Sequence, residues 1–151
     1  WILRTMQTNI ERNGERGENI VARILNAIRS MNKYDSTKDM TEPDGTLVEV
    51  KTQVPWYLKG AFTVDMSKVT NFRKCMAVDR LIFVEIPLSG DIIRIYECIH
   101  RAKGMEFERT RGDNRRMWGW FIKDMVLLHT ENNPTLAASL RGDTKSTWRN
   151  F

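Results

Sequence analysis

Cysteine and histidine are scarce in this chain, with two of each among 151 residues. Cys75 and Cys98 lie in separate apolar stretches, there is no Cys-x-x-Cys pair, and only His100 and His129 could assist them. A structural zinc site draws four such ligands from close spacings, so this composition argues against one. Two free, partly buried thiols fit a reducing compartment, and a cytoplasmic location is expected. No apolar run approaches the roughly 20 residues that a bilayer span requires, which argues against a membrane helix. The N-terminus carries no apolar run of the secretory kind. Internal repeats, low-complexity tracts and linkers are absent too, so the chain reads as a single domain over 1–151.

What is present is ordinary globular composition, 41% hydrophobic and 28% charged. The net charge is +5 and the pI about 9.4, a mild sign of a polyanionic partner. Most of the excess is concentrated between Arg101 and Lys123, where seven Lys/Arg face three acids.

Apolar periodicity predicts a helix over 14–32, with Ile20, Val21, Ile24, Leu25 and Ile28 on one stripe and Glu15 and Glu18 in its first turns. Pro43-Asp44-Gly45 is a turn with a mechanism: proline sets φ, and glycine takes the position that needs positive φ. Its flanks, Asp39 to Glu42 and Thr46 to Thr52, can therefore pair as a hairpin. On the second arm Leu47, Glu49 and Lys51 share one face, and Val48 and Val50 the other.

Further on, 54–60 reads as a loop and Ala61 to Asp65 as a short strand. Ser67 is positioned to cap a helix ending near Val78, with Val69, Phe72 and Met76 turned inward. Arg80 to Ile86 and Asp91 to Ile99 read as strands joined by a turn at Ser89-Gly90. Trp118 to Leu128 reads as one extended apolar segment. Asn133-Pro134 opens a short helix ending near Gly142. The expected class is α/β, a mixed central sheet flanked by helices in the order α-β-β-β-α-β-β. The core is expected over about 14–99, and a basic β/α extension over about 100–151.

Three residues carry the functional reading. Glu49 and Lys51 are two apart on a strand and point the same way. The hairpin brings Asp39 beside them. Charges in the otherwise apolar run Leu47-Val48-Glu49-Val50-Lys51 are costly without partners or a metal. Asp39 and Glu49 can hold Mg²⁺, a hard cation that takes oxygen ligands, and Mn²⁺ is expected to substitute. Lys51 can orient or activate a water and stabilise the charge that builds on a phosphate. Asp35 is a weaker candidate for the first acid. Asp44 lies inside the turn and is expected to point away. Gln53 shares the face of Lys51, where it could orient a water, contact a phosphate or simply lie exposed.

The segment Asp39-x9-Glu49-Val50-Lys51 resembles the signature of the PD-(D/E)XK nucleases. Gly14-Glu15-Arg16-Gly17-Glu18, opening a helix, resembles the first helix of small junction-resolving enzymes of that superfamily. The likeness spans about residues 14–87. Lys38 stands where the signature has proline, a departure that bears on the first acid. The resemblance implies an αβββαβ restriction-endonuclease-like core, a further metal-site carboxylate at Glu18, and a Mg²⁺-dependent endodeoxyribonuclease acting on double-stranded or branched DNA as a homodimer.

For the DNA surface the expected contacts are Arg109, Arg111, Arg115 and Arg116 in a basic, glycine-containing loop, with Lys59 after the site strand. Lys68, Arg73 and Lys74 on the second helix could be contacts or a solvated face. Trp118 and Trp120 could pack in the core, form a dimer surface or stack on bases. The alternatives are a non-catalytic nucleic-acid-binding protein with a nuclease-like fold, and a small adaptor in which Glu49-Val50-Lys51 is incidental.

Overall fold

The structure, a computed structural model, describes residues 8–32, 35, 37–108 and 116–148. Helix α1 spans Asn9–Leu25, so it begins and ends earlier than its apolar stripe suggested. Thr8 caps it, its hydroxyl accepting from Glu11 N at 3.1 Å. At the other end Asn26 adopts φ 53, and Ala27 N–H reaches back to Ala22 O at 2.9 Å. This left-handed cap closes the helix seven residues before the expected end. Ile28 consequently leaves the stripe and stands 78% exposed on a short strand, β1 (Ile28–Arg29).

β2 (Met40–Thr41) and β3 (Leu47–Gln53) form the expected antiparallel hairpin, with Met40 opposite Val48. Gly45 takes φ 92 in the turn, and Gly45 N donates to Glu42 O at 2.9 Å. β4 (Ala61–Asp65), α2 (Val69–Ala77), β5 (Arg80–Glu85) and β6 (Ile92–Glu97) follow. Ser67 does not cap α2: its hydroxyl is held by the Asp65 carboxylate, and Lys68 occupies the cap position. The helix is therefore rotated from expectation. Val69 is exposed and Met76 partly so, whereas Lys74 and Cys75 face inward.

The segment expected as one run from Trp118 to Leu128 is two strands, β8 (Met117–Phe121) and β9 (Val126–Asn132), separated by a 3-10 turn at Ile122–Asp124. β7 (Met105–Phe107) precedes them. The last helix, α3 (Pro134–Trp148), runs past Gly142, its start capped by Asn133 Oδ1 accepting from Leu136 N at 3.1 Å.

The central sheet has six strands in the order β1-β2-β3-β5-β6-β9 and is mixed: β3 and β5 run parallel, while the other neighbours are antiparallel. A second sheet of three strands, β4-β8-β7, lies apart from it. On one face of the central sheet α1 and α3 bury Ile20, Val21, Val48, Val50, Ile82, Val84, Ile93, Ile95 and Leu140. On the other, Phe62, Val64, Cys75, Leu81, Phe83, Cys98 and Trp120 join α2 and the second sheet. Residues beyond 100 are thus no appendage, because β9 pairs with β6 and β8 with β4. Both thiols are free and buried, and burial pushes them up, Cys75 to about 11 and Cys98 to about 12. Among the described residues, no helix is long and apolar enough to cross a membrane.

α1 comes close to β3 at Gly17. A Cβ there would stand 1.6 Å from Thr52 Oγ1, so only glycine permits this approach. The contact sets how closely α1 packs on β3.

Candidate functional site

Alternation along β3 sends Val48 and Val50 into the core beneath α1 and puts Glu49 and Lys51 on the opposite face. Glu49 is 1% exposed. Asp39, just before β2, is fixed from three sides. Its N–H donates to Val48 O at 2.8 Å, and its carbonyl accepts from Ser30 N at 2.9 Å. Its Oδ2 accepts from Val50 N at 2.8 Å, taking a backbone donor of β3 with a side chain. The hairpin therefore places the Asp39 carboxylate against Glu49.

Lys74 from α2 completes the cluster. Its Nζ lies 2.8 Å from Asp39 Oδ1 and 3.1 Å from Glu49 Oε1. Lys51 Nζ lies 3.1 Å from Glu49 Oε2. Oε1 of Glu49 is fully buried and meets the Lys74 ammonium at 3.1 Å off the hydrogen-bonding axis, an ion pair rather than a well-aligned hydrogen bond. Two acids and two ammonium groups thus share one small volume.

The electrostatics follow from burial. Glu49 is pushed up to about 8, by burial first and then by the neighbouring Asp39 carboxyl, against the pull of Lys51 and Lys74. Burial also opposes charge on Asp39, but hydrogen bonds with Glu49, Lys74 and Val50 N–H outweigh it and hold Asp39 below the usual range. Two carboxyls at such separation divide their protons unequally. Lys51 and Lys74 both rise despite burial, because the acids favour their charged forms.

The cluster opens into a cleft of about 320 Å³ lined by Glu11, Gly14, Glu15 and Glu18 of α1, with Arg29, Asn71 and the four charged residues above. Positions 11, 14, 15 and 18 form one face of a helix. α1 therefore gives an apolar stripe to the core and an acidic one to the cleft. Glu18 is turned to Arg29, with Oε2 at 2.9 Å from the guanidinium. Burial and then Asp39 raise its pKa. Among the described residues, no three His, Cys, Asp or Glu side chains are arranged to hold a metal ion. Glu18 is turned aside, and Lys74 already contacts the other two acids. The donor set nevertheless suits a hard divalent cation: two carboxylates meet, and one buried oxygen has only an off-axis ammonium beside it.

Other candidates from the sequence fall elsewhere. Gln53 is tethered, its Oε1 accepting from Thr63 N at 3.0 Å, and so links β3 to β4. The Asp35 carboxylate is held by Thr37 and Lys38, and that of Asp44 by Thr46 N within the turn. Lys59 is exposed in a turn and does not line the cleft. Arg116 sits beside β8, pairs with Glu106 at 2.7 Å and does not line the cleft either. Arg109, Arg111 and Arg115 lie outside the described residues. Trp120 is 1% exposed and donates from Nε1 to Arg101 O at 3.0 Å, so it offers no exposed surface for a dimer or a base.

Lys74 is the residue that sequence reasoning placed least well. It sits in a polar run, Asn71-Phe72-Arg73-Lys74, that reads equally well as a solvated helix face. The available signal was electrostatic: two acids in an apolar hairpin need more than one cation. Comparison with protein-family models and with curated proteins finds no match for this chain.

Proposed function

We propose that this chain is a divalent-metal-dependent endonuclease of the PD-(D/E)XK type, hydrolysing DNA phosphodiester bonds in the cleft beside β3. The observation that carries the reading is the meeting of Asp39 and Glu49, with Lys51 on the same face of β3 at 3.1 Å from Glu49. The order of elements supports it. Setting aside the two-residue β1, the chain runs α-β-β-β-α-β from α1 to β5. β4 departs from that plan by pairing with β8 rather than within the central sheet.

In this reading Asp39 and Glu49 hold Mg²⁺, or Mn²⁺ in its place, and Glu18 contributes once released from Arg29. The ion would neutralise charge on the phosphate and acidify water near it. Lys51, fixed by Glu49 Oε2, directs its remaining N–H donors toward the phosphate oxygens, where charge builds during attack. Of the cations that line the cleft, Arg29 and Lys51 would face the backbone of the substrate.

The test is cleavage of supercoiled plasmid and of branched DNA with Mg²⁺, Mn²⁺ or EDTA. Wild type should cut with either metal and not in EDTA, and Lys51→Ala should bind DNA without cutting it. Identical behaviour of the two proteins under every metal overturns the enzyme. One observation favours a second reading, a DNA-binding protein that keeps this fold without catalysis: Lys74 already serves as a cation for the acid pair. Under that reading DNA binding is indifferent to metal and to Lys51→Ala.

A further inference from the structure

Lys74 has no part in the expected chemistry, yet it makes the most intimate contacts in the site. Its ammonium reaches both acids, at 2.8 and 3.1 Å, and its side chain is only 8% exposed. It serves them unequally, because its contact with Glu49 Oε1 lies off the hydrogen-bonding axis. An ammonium directs three donors along fixed directions. A divalent cation has no such directional demand and binds several oxygens at once. The same two carboxylates are thus suited to a dication and only partly served by the lysine.

We propose that Lys74 is the resident cation of this site and that a divalent ion enters by exchange with it. The proposal rests on the metal-dependent reading given above. Three features make the exchange feasible. Lys74 belongs to α2, while both acids belong to the β2–β3 hairpin, so its departure leaves the hairpin bonds of Asp39 in place. Lys51 remains on Glu49 Oε2, which keeps Glu49 oriented with Oε1 as the free corner. The cleft beside Lys74, with Asn71 one turn earlier on α2, gives its flexible four-carbon stem a place to go.

Two consequences follow. Metal binding must break the Lys74 contacts, so the lysine weakens apparent metal affinity, as any competing closed state does. Metal binding also releases an ammonium into the cleft beside Lys51, where a phosphate backbone would approach. Metal and polyanion therefore bind in a coupled manner.

Mn²⁺ titration followed by electron paramagnetic resonance tests this with wild type, Lys74→Met, Lys74→Arg and Glu49→Gln. The expected result is binding about tenfold or more tighter in Lys74→Met, as loss of a competing closed state implies. Lys74→Arg should bind no tighter than wild type, and Glu49→Gln should lose the site. Equal affinity in wild type and Lys74→Met, with loss in Glu49→Gln, overturns exchange and leaves the metal-dependent enzyme standing. Absence of Mn²⁺ binding in both wild type and Lys74→Met overturns the enzyme and the exchange together.

A second measurement on wild type does not depend on the variants folding. Amine acetylation read by mass spectrometry should show Lys74 modified several-fold faster in Mg²⁺ than in EDTA, with exposed Lys103 unchanged as internal reference. Equal Lys74 labelling in the two conditions counts against exchange.

Discussion

Lys74 on α2 and Asp39 ahead of β2 lie 35 positions apart in the chain and meet at 2.8 Å, joining the α2 side of the central sheet to its hairpin. The same carboxylate uses its other oxygen to hold Val50 N–H. Asp39 is therefore a structural pin as well as a candidate ligand.

That dual role separates two substitutions. Asp39→Asn keeps an acceptor for Val50 N–H but loses the charge facing Lys74. Asp39→Ala loses both, leaving the buried Val50 N–H without an acceptor and Lys74 with Glu49 alone, which should cost about 3–5 kcal/mol. Thermal melts should rank wild type, Asp39→Asn and Asp39→Ala in falling order. Equal melting of the two variants would show that the backbone bond contributes nothing.

Lys51 offers the contrasting case, a charge lost at smaller structural cost. Its side chain is 24% exposed, and among the described residues its ion pair is with Glu49. Lys51→Ala should lower cleavage on the order of 10²–10³-fold, as loss of one donor to a transition-state oxyanion does. Its melting temperature should change far less than that of Asp39→Ala. Single-turnover cleavage beside a melt resolves the two effects.

Gly17 and Thr52 make a packing prediction. Gly17→Ala drives a methyl into Thr52 Oγ1 and should destabilise by about 1–3 kcal/mol. Thr52 Oγ1 is buried and makes no hydrogen bond, so Thr52→Ala removes the nearest obstructing atom without removing a bond, although the Cβ at 2.9 Å remains. The double variant should recover part of the loss, a coupling measurable by urea denaturation. Simple additivity of the two substitutions would place the strain elsewhere.

The acid limb of stability has a contributor far from the site. Glu131 on β9 is held below the usual carboxylate range by Arg23 of α1 first, with Asn133 and His129 assisting. A depressed folded-state pKa stabilises above the unfolded value of about 4.5, and that contribution disappears as pH falls through the lower folded value. Arg23 is 60% exposed, so the contribution is small, about 1 kcal/mol or less. Glu131→Gln should flatten the decline of stability between about pH 5 and 3. An unchanged acid limb in that variant would show the pair to be fully screened.

The sequence alone determined much of the local order around the site. Period-two alternation put Glu49 and Lys51 on one face, and Pro43-Asp44-Gly45 fixed the turn that carries Asp39 toward them. Those features depend on neighbours a few residues apart, which the chain encodes directly. The mixed central sheet was legible for a similar reason, because its long strands have strong periods.

Tertiary structure decided the rest. Apolar spacing through Ile28 favoured a longer helix, but the left-handed Asn26 and the pairing of β1 with β2 ended it. The run through Trp118 and Leu128 reads as one strand, yet its two halves join different sheets. α2 turned Lys74 inward because buried acids on the hairpin required a cation from another element. Burial and charge compensation depend on which surfaces meet, and residues 35 positions apart give no periodic sign that they will.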